Sequence, residues 1–177
     1  MAKNKYAKDY QLLETVDQKG RIHTDYEYIG RPYRFDQSAG EVRRELLLRL
    51  GLCVLGFVSW VAAMLPNSQA MRTLWVSLPF VFAAVPLGLL TGTVFSLLRA
   101  GDPMEHRFAD KLENRYPPAA LAVCVLSAAA ALGAVAGILT GRGSGAGEWL
   151  FTVCALVTAL CGGLCFFRRG RLTASER

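Results

Sequence analysis

Charged side chains are missing from four long segments of this 177-residue chain. The segments contain no Asp, Glu, Lys or His, and Arg49 is their one arginine. Because about 20 apolar helical residues cross a hydrocarbon core about 30 Å thick, each segment is long enough to span a membrane. The four predicted spans are residues 46–65, 74–98, 119–139 and 149–167. We therefore expect an all-α membrane protein whose four-helix transmembrane domain covers residues 43–168.

Groups that perform chemistry inside a membrane are equally scarce. Ionisable residues within a span usually mark a proton relay, an ion path or a catalytic site. The chain has two histidines, His23 and His106, and both lie outside the predicted spans. Since catalysis and metal binding need several such groups in one place, we expect no catalytic, metal-binding or cofactor-binding residues. An enzyme that acts on lipid is accordingly the least favoured function.

Cysteines are absent from the predicted loops, where a structural disulfide would be expected. All five lie within spans, and the pattern favours small, polarizable packing residues over a redox or metal site. They are Cys53, Cys124, Cys154, Cys161 and Cys165.

Positive charge is distributed unequally along the chain. Of 20 Lys and Arg residues, eighteen lie before or at the edge of span one, between spans two and three, or after span four. The other two connections contain one each, Arg72 and Arg142. Because cytoplasmic loops carry the Lys/Arg excess, both termini are predicted to be cytoplasmic in the plasma membrane, residues 169–177 forming a basic tail. This distribution accounts for the net charge of +6 without a nucleic-acid partner.

The first 45 residues are polar and aromatic and show no signal-peptide pattern. Within the N-terminal segment 1–42, a β-hairpin is predicted at residues 9–29. Its second strand alternates, with Ile22, Thr24, Tyr26 and Tyr28 facing one way, and Gly20 suits the turn. The helical spacing of Leu12, Leu13 and Val16 leaves a short helix over 7–16 open.

Five of the six tyrosines lie in the first 35 residues. Tyrosine is favoured in strands and at membrane interfaces, which is one explanation. The other is a surface for a protein partner, because aromatic side chains are enriched in interfaces. The candidate docking residues are Tyr10, Tyr26, Tyr28, Tyr33 and Phe35.

A short amphipathic helix is predicted in the loop at residues 102–116. Asp102 and Pro103 suit its first turn, and the Tyr116-Pro117-Pro118 sequence is expected to end it. Its apolar face consists of Met104, Phe108, Leu112 and Tyr116. This face is predicted either to lie on the membrane surface or to pack against the hairpin.

Span one contains the one arginine of the apolar segments. Glu45 and Arg49 are one helical turn apart and are predicted to pair. Arg49 lies close enough to the end of the span for its head group to reach the surface, so it is predicted to be an anchor.

Small residues recur every four positions in spans two and three, a spacing that lets two helices approach closely. These ladders are Ala84, Gly88, Gly92 and Ser96 in span two, and Ala129, Gly133 and Gly137 in span three. They predict close packing of the two spans or association between copies. Pro79 and Pro86 predict a kink in span two.

Without membrane chemistry, the pattern favours a non-enzymatic accessory or scaffold subunit that presents its Tyr-rich hairpin to a partner. The expected partners are the lipid bilayer and a protein, either a different one or a second copy. The alternative is a small oligomeric channel or transporter that uses the kinked second span and the hydroxyls of Ser77, Thr91, Thr93 and Ser96.

Overall fold

The computed structural model describes residues 10–16, 22–30, 33–66, 68–100, 104–141 and 145–176. These residues are mostly helical, and four helical segments are long and apolar enough to cross a membrane. The segments are Ala39–Met64, Leu74–Ala100, His106–Leu139 and Ala146–Arg171. Four apolar spans and a small hairpin, as predicted, are therefore present.

Helix α1, Ala39–Met64, begins four residues before the predicted membrane domain. Ser38 precedes it, and both its N–H and its hydroxyl donate to Oε2 of Glu41, at 3.2 and 2.8 Å. A serine followed three residues later by glutamate satisfies the free groups of a helix start. The local sequence therefore determines where α1 begins.

Span two consists of two helices, α2 at Leu74–Phe82 and α3 at Ala84–Ala100. Pro79 lies inside α2, and the break at Ala83 comes three residues before Pro86. Since Pro86 has no N–H and its ring clashes with the carbonyl four residues earlier, the helical pattern is interrupted at this level. A short 3-10 helix, Ala70–Arg72, precedes α2.

The loop helix and span three are continuous, which differs from the prediction. Helix α4, His106–Asp110, passes through a π-helical turn, Lys111–Arg115, into α5, Tyr116–Leu139. The prolines that were expected to end the helix occupy the first positions of α5, where a missing N–H costs little. The Tyr116 N–H donates five residues back, to Lys111, and this wider turn carries the helix onward. Asp102 and Pro103 lie outside the described residues.

Helix α6, Ala146–Phe167, packs against both α1 and α5 and is followed by a 3-10 helix, Arg169–Arg171. Helix α2 packs on α5, and α3 contacts both α1 and α5. The core has three levels along the bundle. They are centred on Phe80 and Phe151, on Cys53, Tyr116 and Cys165, and on Val42, Leu112 and Leu172.

Two small sheets lie outside the bundle. Strands β1, Tyr10–Val16, and β2, Ile22–Tyr28, form the predicted antiparallel hairpin, so the alternative helix over 7–16 is wrong for residues 10–16. The turn at 17–21 lies outside the described residues. Strands β3, Tyr33–Phe35, and β4, Ala174–Glu176, pair antiparallel and connect the segment before α1 to the segment after α6. This second sheet was not predicted.

Candidate functional site

A cluster of charged groups lies at the end of the bundle where α1 starts and α6 stops; we call it the termini end. Glu45 of α1 accepts two hydrogen bonds from Arg168, at 2.9 Å from Nε and 2.6 Å from Nη2. It accepts a third from Nε of Arg49 at 3.2 Å. Paired, charge-assisted hydrogen bonds of this kind are the strong ones in proteins. These three residues, the ion cluster, therefore connect α1 to α6.

Arg49 lies inside the bundle and is not the predicted surface anchor. Its side chain is fully buried, its Nη2 donates to the carbonyl of Arg168, and its guanidinium lies 4.7 Å from the centre of the Tyr116 ring. The predicted pairing with Glu45 is confirmed. A guanidinium stays buried only where charged and hydrogen-bonding partners replace water, and here two other helices supply them.

Carbonyl groups at the end of α6 accept hydrogen bonds from side chains of other helices. The last carbonyls of a helix have no partner within it and carry its partial negative charge. Tyr116 of α5 donates its hydroxyl to the Cys165 carbonyl at 3.1 Å, and Arg49 of α1 donates to the Arg168 carbonyl. Side chains from two neighbouring helices thus complete the end of a third.

Charge is not balanced within the ion cluster. Two guanidinium groups face one carboxylate, and Nη1 of the buried Arg49 has no hydrogen-bond partner. The C-terminal end of α6 contributes only about half a negative charge. The cluster therefore retains an excess of positive charge close to the surface of the bundle.

Three of the five candidate docking residues contact the chain itself. The Tyr28 hydroxyl accepts a hydrogen bond from the His106 N–H at 3.1 Å, and the Tyr33 ring stacks on His106 with 5.3 Å between centres. Phe35 packs against the core level of Val42, Leu112 and Leu172. The side chains of Tyr10 and Tyr26 lie outside the described part of the structure.

The predicted apolar face of the loop helix is turned into the protein. Met104, Leu112 and Tyr116 are buried, and Phe108 packs against the core. Met104 itself precedes α4 and forms a bridge with Tyr33, through two backbone hydrogen bonds of 2.9 Å. Neither predicted use, lying on the membrane surface or packing against the hairpin, describes this arrangement, because Phe108, Leu112 and Tyr116 pack into the core of the bundle.

The glycines of the two ladders do not face each other within one chain. Gly88 and Gly92 are exposed, and a Cβ added at either position, or at Gly137, would have no atom within 4 Å. Gly133 instead packs against Val76 of α2, whose Cγ2 would lie 2.8 Å from a Cβ added at Gly133. Ala84 and Ser96 are half-buried, and Ala129 is exposed. Association between copies through these residues stays a prediction.

A close approach of two helix backbones involves a glycine that the ladders did not include. A Cβ added at Gly162 of α6 would lie 2.8 Å from the backbone nitrogen of Cys124 and 3.0 Å from the carbonyl oxygen of Ala120. Spans three and four are therefore a tight pair in this bundle. The Gly162-Gly163 pair within span four was the available signal, but nothing in the sequence named its partner helix.

The hydroxyls considered for a transport path are used within their own helix. Thr91, Thr93 and Ser96 donate to the carbonyls of Leu87, Leu89 and Gly92, each at 2.8 Å. Such bonds satisfy a hydroxyl locally. Each of these three hydroxyls therefore has a hydrogen-bond acceptor within its own helix.

The opposite end of the bundle, the far end, contains a buried carboxylate that the sequence analysis missed. Glu148 of α6 is 5% exposed and accepts hydrogen bonds from the backbone N–H groups of Gln69 and Ala70. These groups begin the short 3-10 helix before α2, and a carboxylate is favourable at a helix start. Its position directly before span four was the only signal in the sequence.

The described residues contain no group of three or more His, Cys, Asp and Glu side chains able to hold a metal ion. The five cysteines are free thiols. No known protein family matches the chain, and no curated protein or solved structure matches it either.

Proposed function

We propose that this protein is a non-enzymatic accessory or scaffold subunit of the plasma membrane, and that its hairpin β1–β2 recruits a protein partner on the cytoplasmic side. The four apolar helices support membrane insertion. The Lys/Arg excess at the termini end supports its cytoplasmic orientation.

The observation that carries the docking role is that the hairpin forms a two-stranded sheet of its own. Among the described residues, β1 pairs only with β2, and β3 pairs only with β4, so the two sheets do not extend each other. A two-stranded hairpin is marginally stable alone in water. No third strand among the described residues pairs with its outer edges, and an extended segment of a partner can pair with such an edge.

The strand register also predicts that one face of the hairpin is aromatic. It places Tyr10 opposite Tyr28 and Leu12 opposite Tyr26, whereas Gln11 lies opposite Glu27. Since alternate residues of a strand share a face, the sequence predicts one aromatic and one polar face. An aromatic face next to a free edge suits a protein interface.

The first test is deletion of residues 1–29, which removes the hairpin and retains Tyr33, Phe35 and the β3–β4 pairing. The tagged protein and its deletion variant would be purified in mild detergent and compared by quantitative mass spectrometry. We expect a specific partner to be lost while the variant stays monodisperse. An unchanged set of co-purifying proteins would exclude the docking role.

A finer test compares two double substitutions in the hairpin. Tyr10→Ala with Tyr26→Ala changes the predicted aromatic face, and Gln11→Ala with Glu27→Ala is the matched control on the other face. We expect only the first to weaken partner recovery. Equal losses from both would place binding at the strand edge instead of the aromatic face.

The second candidate is an oligomeric channel or transporter. It is favoured by the break at Ala83 and by the outward position of Gly88 and Gly92, where a second copy could pack. Purified protein in liposomes would then move a solute, and Gly92→Leu would abolish the flux without unfolding the monomer. Absence of flux together with a specific partner would leave the accessory role.

A further inference from the structure

A groove of about 440 Å³ lies beside the ion cluster, between the first turns of α1 and the chain that follows α6. Its walls combine guanidinium groups with apolar side chains. The main contributors are Arg44, Arg168 and Arg171, Glu41, and the apolar Leu48 and Leu172.

The two carboxylates of the groove have different partners. Glu45 accepts from both Arg49 and Arg168, and Glu41 accepts from Ser38 at the start of α1. Arg44 and Arg171 are exposed, and among the described residues neither forms an ion pair with a carboxylate. Glu41 keeps its negative charge because Ser38 is neutral, but three guanidinium groups line the groove against two carboxylates, so its lining has a net positive charge.

A second observation at the same place also points to an anion. Directly behind Glu45 lies Arg49, which is fully buried and whose Nη1 has no acceptor. Burial of a charge is costly unless an opposite charge compensates it. The cluster has one carboxylate for two guanidinium groups, and the end of α6 offsets only about half of the excess. An anion in the adjoining groove would supply the missing negative charge.

The position of the groove identifies a lipid as the source of this anion. Leu48 lies on the same side of α1 as the groove and is partly exposed on the apolar surface of span one. A phospholipid carries its phosphate directly next to its acyl chains, so the phosphate meets the arginines where the chains meet this surface. Basic pockets between membrane helices bind anionic headgroups in this way. We propose that the groove between α1 and α6 binds the phosphate headgroup of an anionic phospholipid.

The test is native mass spectrometry of the full chain in detergent, with phosphatidylglycerol or phosphatidylcholine added in turn. Arg44→Gln with Arg171→Gln removes the two free guanidinium groups of the groove. The matched control, Arg43→Gln with Arg169→Gln, removes the same charge from the same end, since both residues are exposed and neither lines this groove.

We expect the wild-type protein to retain phosphatidylglycerol over phosphatidylcholine, and the groove variant to lose about tenfold or more in affinity while the control changes little. Replacement of both arginines by lysine keeps the charge and should retain much of the binding. Equal losses in both double variants, or equal retention of the two lipids, would overturn the proposal.

Inorganic phosphate, titrated against the lipid-bound protein, distinguishes the two sources of the anion. We expect no displacement at millimolar concentration, because phosphate gains nothing from the apolar wall. Displacement would identify a soluble anion as the occupant and overturn the lipid assignment. No hairpin residue that the structure describes lines the groove, so the result is independent of the docking role.

Discussion

The two ends of the bundle each bury one carboxylate, and they compensate it by different means. At the termini end, Glu45 is 9% exposed and faces the guanidinium groups of Arg49 and Arg168. At the far end, Glu148 is 5% exposed and faces backbone N–H groups at a helix start. The first arrangement is an ion cluster with one surplus positive charge, and the second is a helix cap. Removing the negative charge should therefore have unequal effects at the two ends.

The largest effect is expected from Glu45→Gln. It leaves Arg49 buried without an opposite charge, and breaking a buried ion pair in this way costs about 3–5 kcal/mol. Reversible unfolding in mixed detergent micelles would measure the free energy of unfolding. Glu41→Gln, on the exposed side of the same helix, is the control and should cost much less. Equal losses in the two variants would show that the cluster contributes little.

A second substitution tests whether the unpaired charge of Arg49 causes this loss of stability. Adding Arg49→Met to Glu45→Gln removes the buried charge that the first change leaves unpaired. We expect the double variant to be more stable than Glu45→Gln alone by about 1–3 kcal/mol, since residues in one cluster are coupled. Adding Arg43→Met instead should give no recovery, because Arg43 is exposed. A double variant less stable than the single would contradict the charge imbalance that we infer.

The smallest effect is expected at the far end. Glu148→Gln removes the charge but keeps an oxygen that accepts from a backbone N–H, so the loss should be about 1 kcal/mol. Glu148→Ala leaves both donors without an acceptor and should cost more than Glu148→Gln. The same unfolding assay applies. A loss for Glu148→Gln as large as that for Glu45→Gln would remove the distinction between the two ends.

Local patterns in the sequence predicted much of the fold. The four spans follow from apolar length, the hairpin from alternation, and the pairing of Glu45 with Arg49 from helical spacing. Each of these depends on residues that are neighbours along the chain. The predicted helix end at Pro117 was wrong because a wider turn places the two prolines at the start of α5, where they are tolerated.

The candidate site was much less predictable. Arg49 near the end of a span suggested a side chain that reaches the surface, because an isolated helix offers it no other partner. Its actual partners include the carbonyl of Arg168, 119 residues away, and the ring of Tyr116. Small residues in spans two and three suggested a close pair, but spacing alone does not say which helix a glycine faces. Spans two and three do pack together, but through Val76 of span two at Gly133, and a further close approach lies at Gly162.

The sequence by itself determined which segments are apolar enough to form spans and that a hairpin precedes the bundle. These properties depend on the composition and period of contiguous residues. Only the tertiary structure decided which helices touch, that Arg49 is buried, and how the carboxylates of Glu45 and Glu148 are compensated. The physical reason is that the free energy of a buried charge depends on the groups that other helices bring to it, and those groups are distant along the chain.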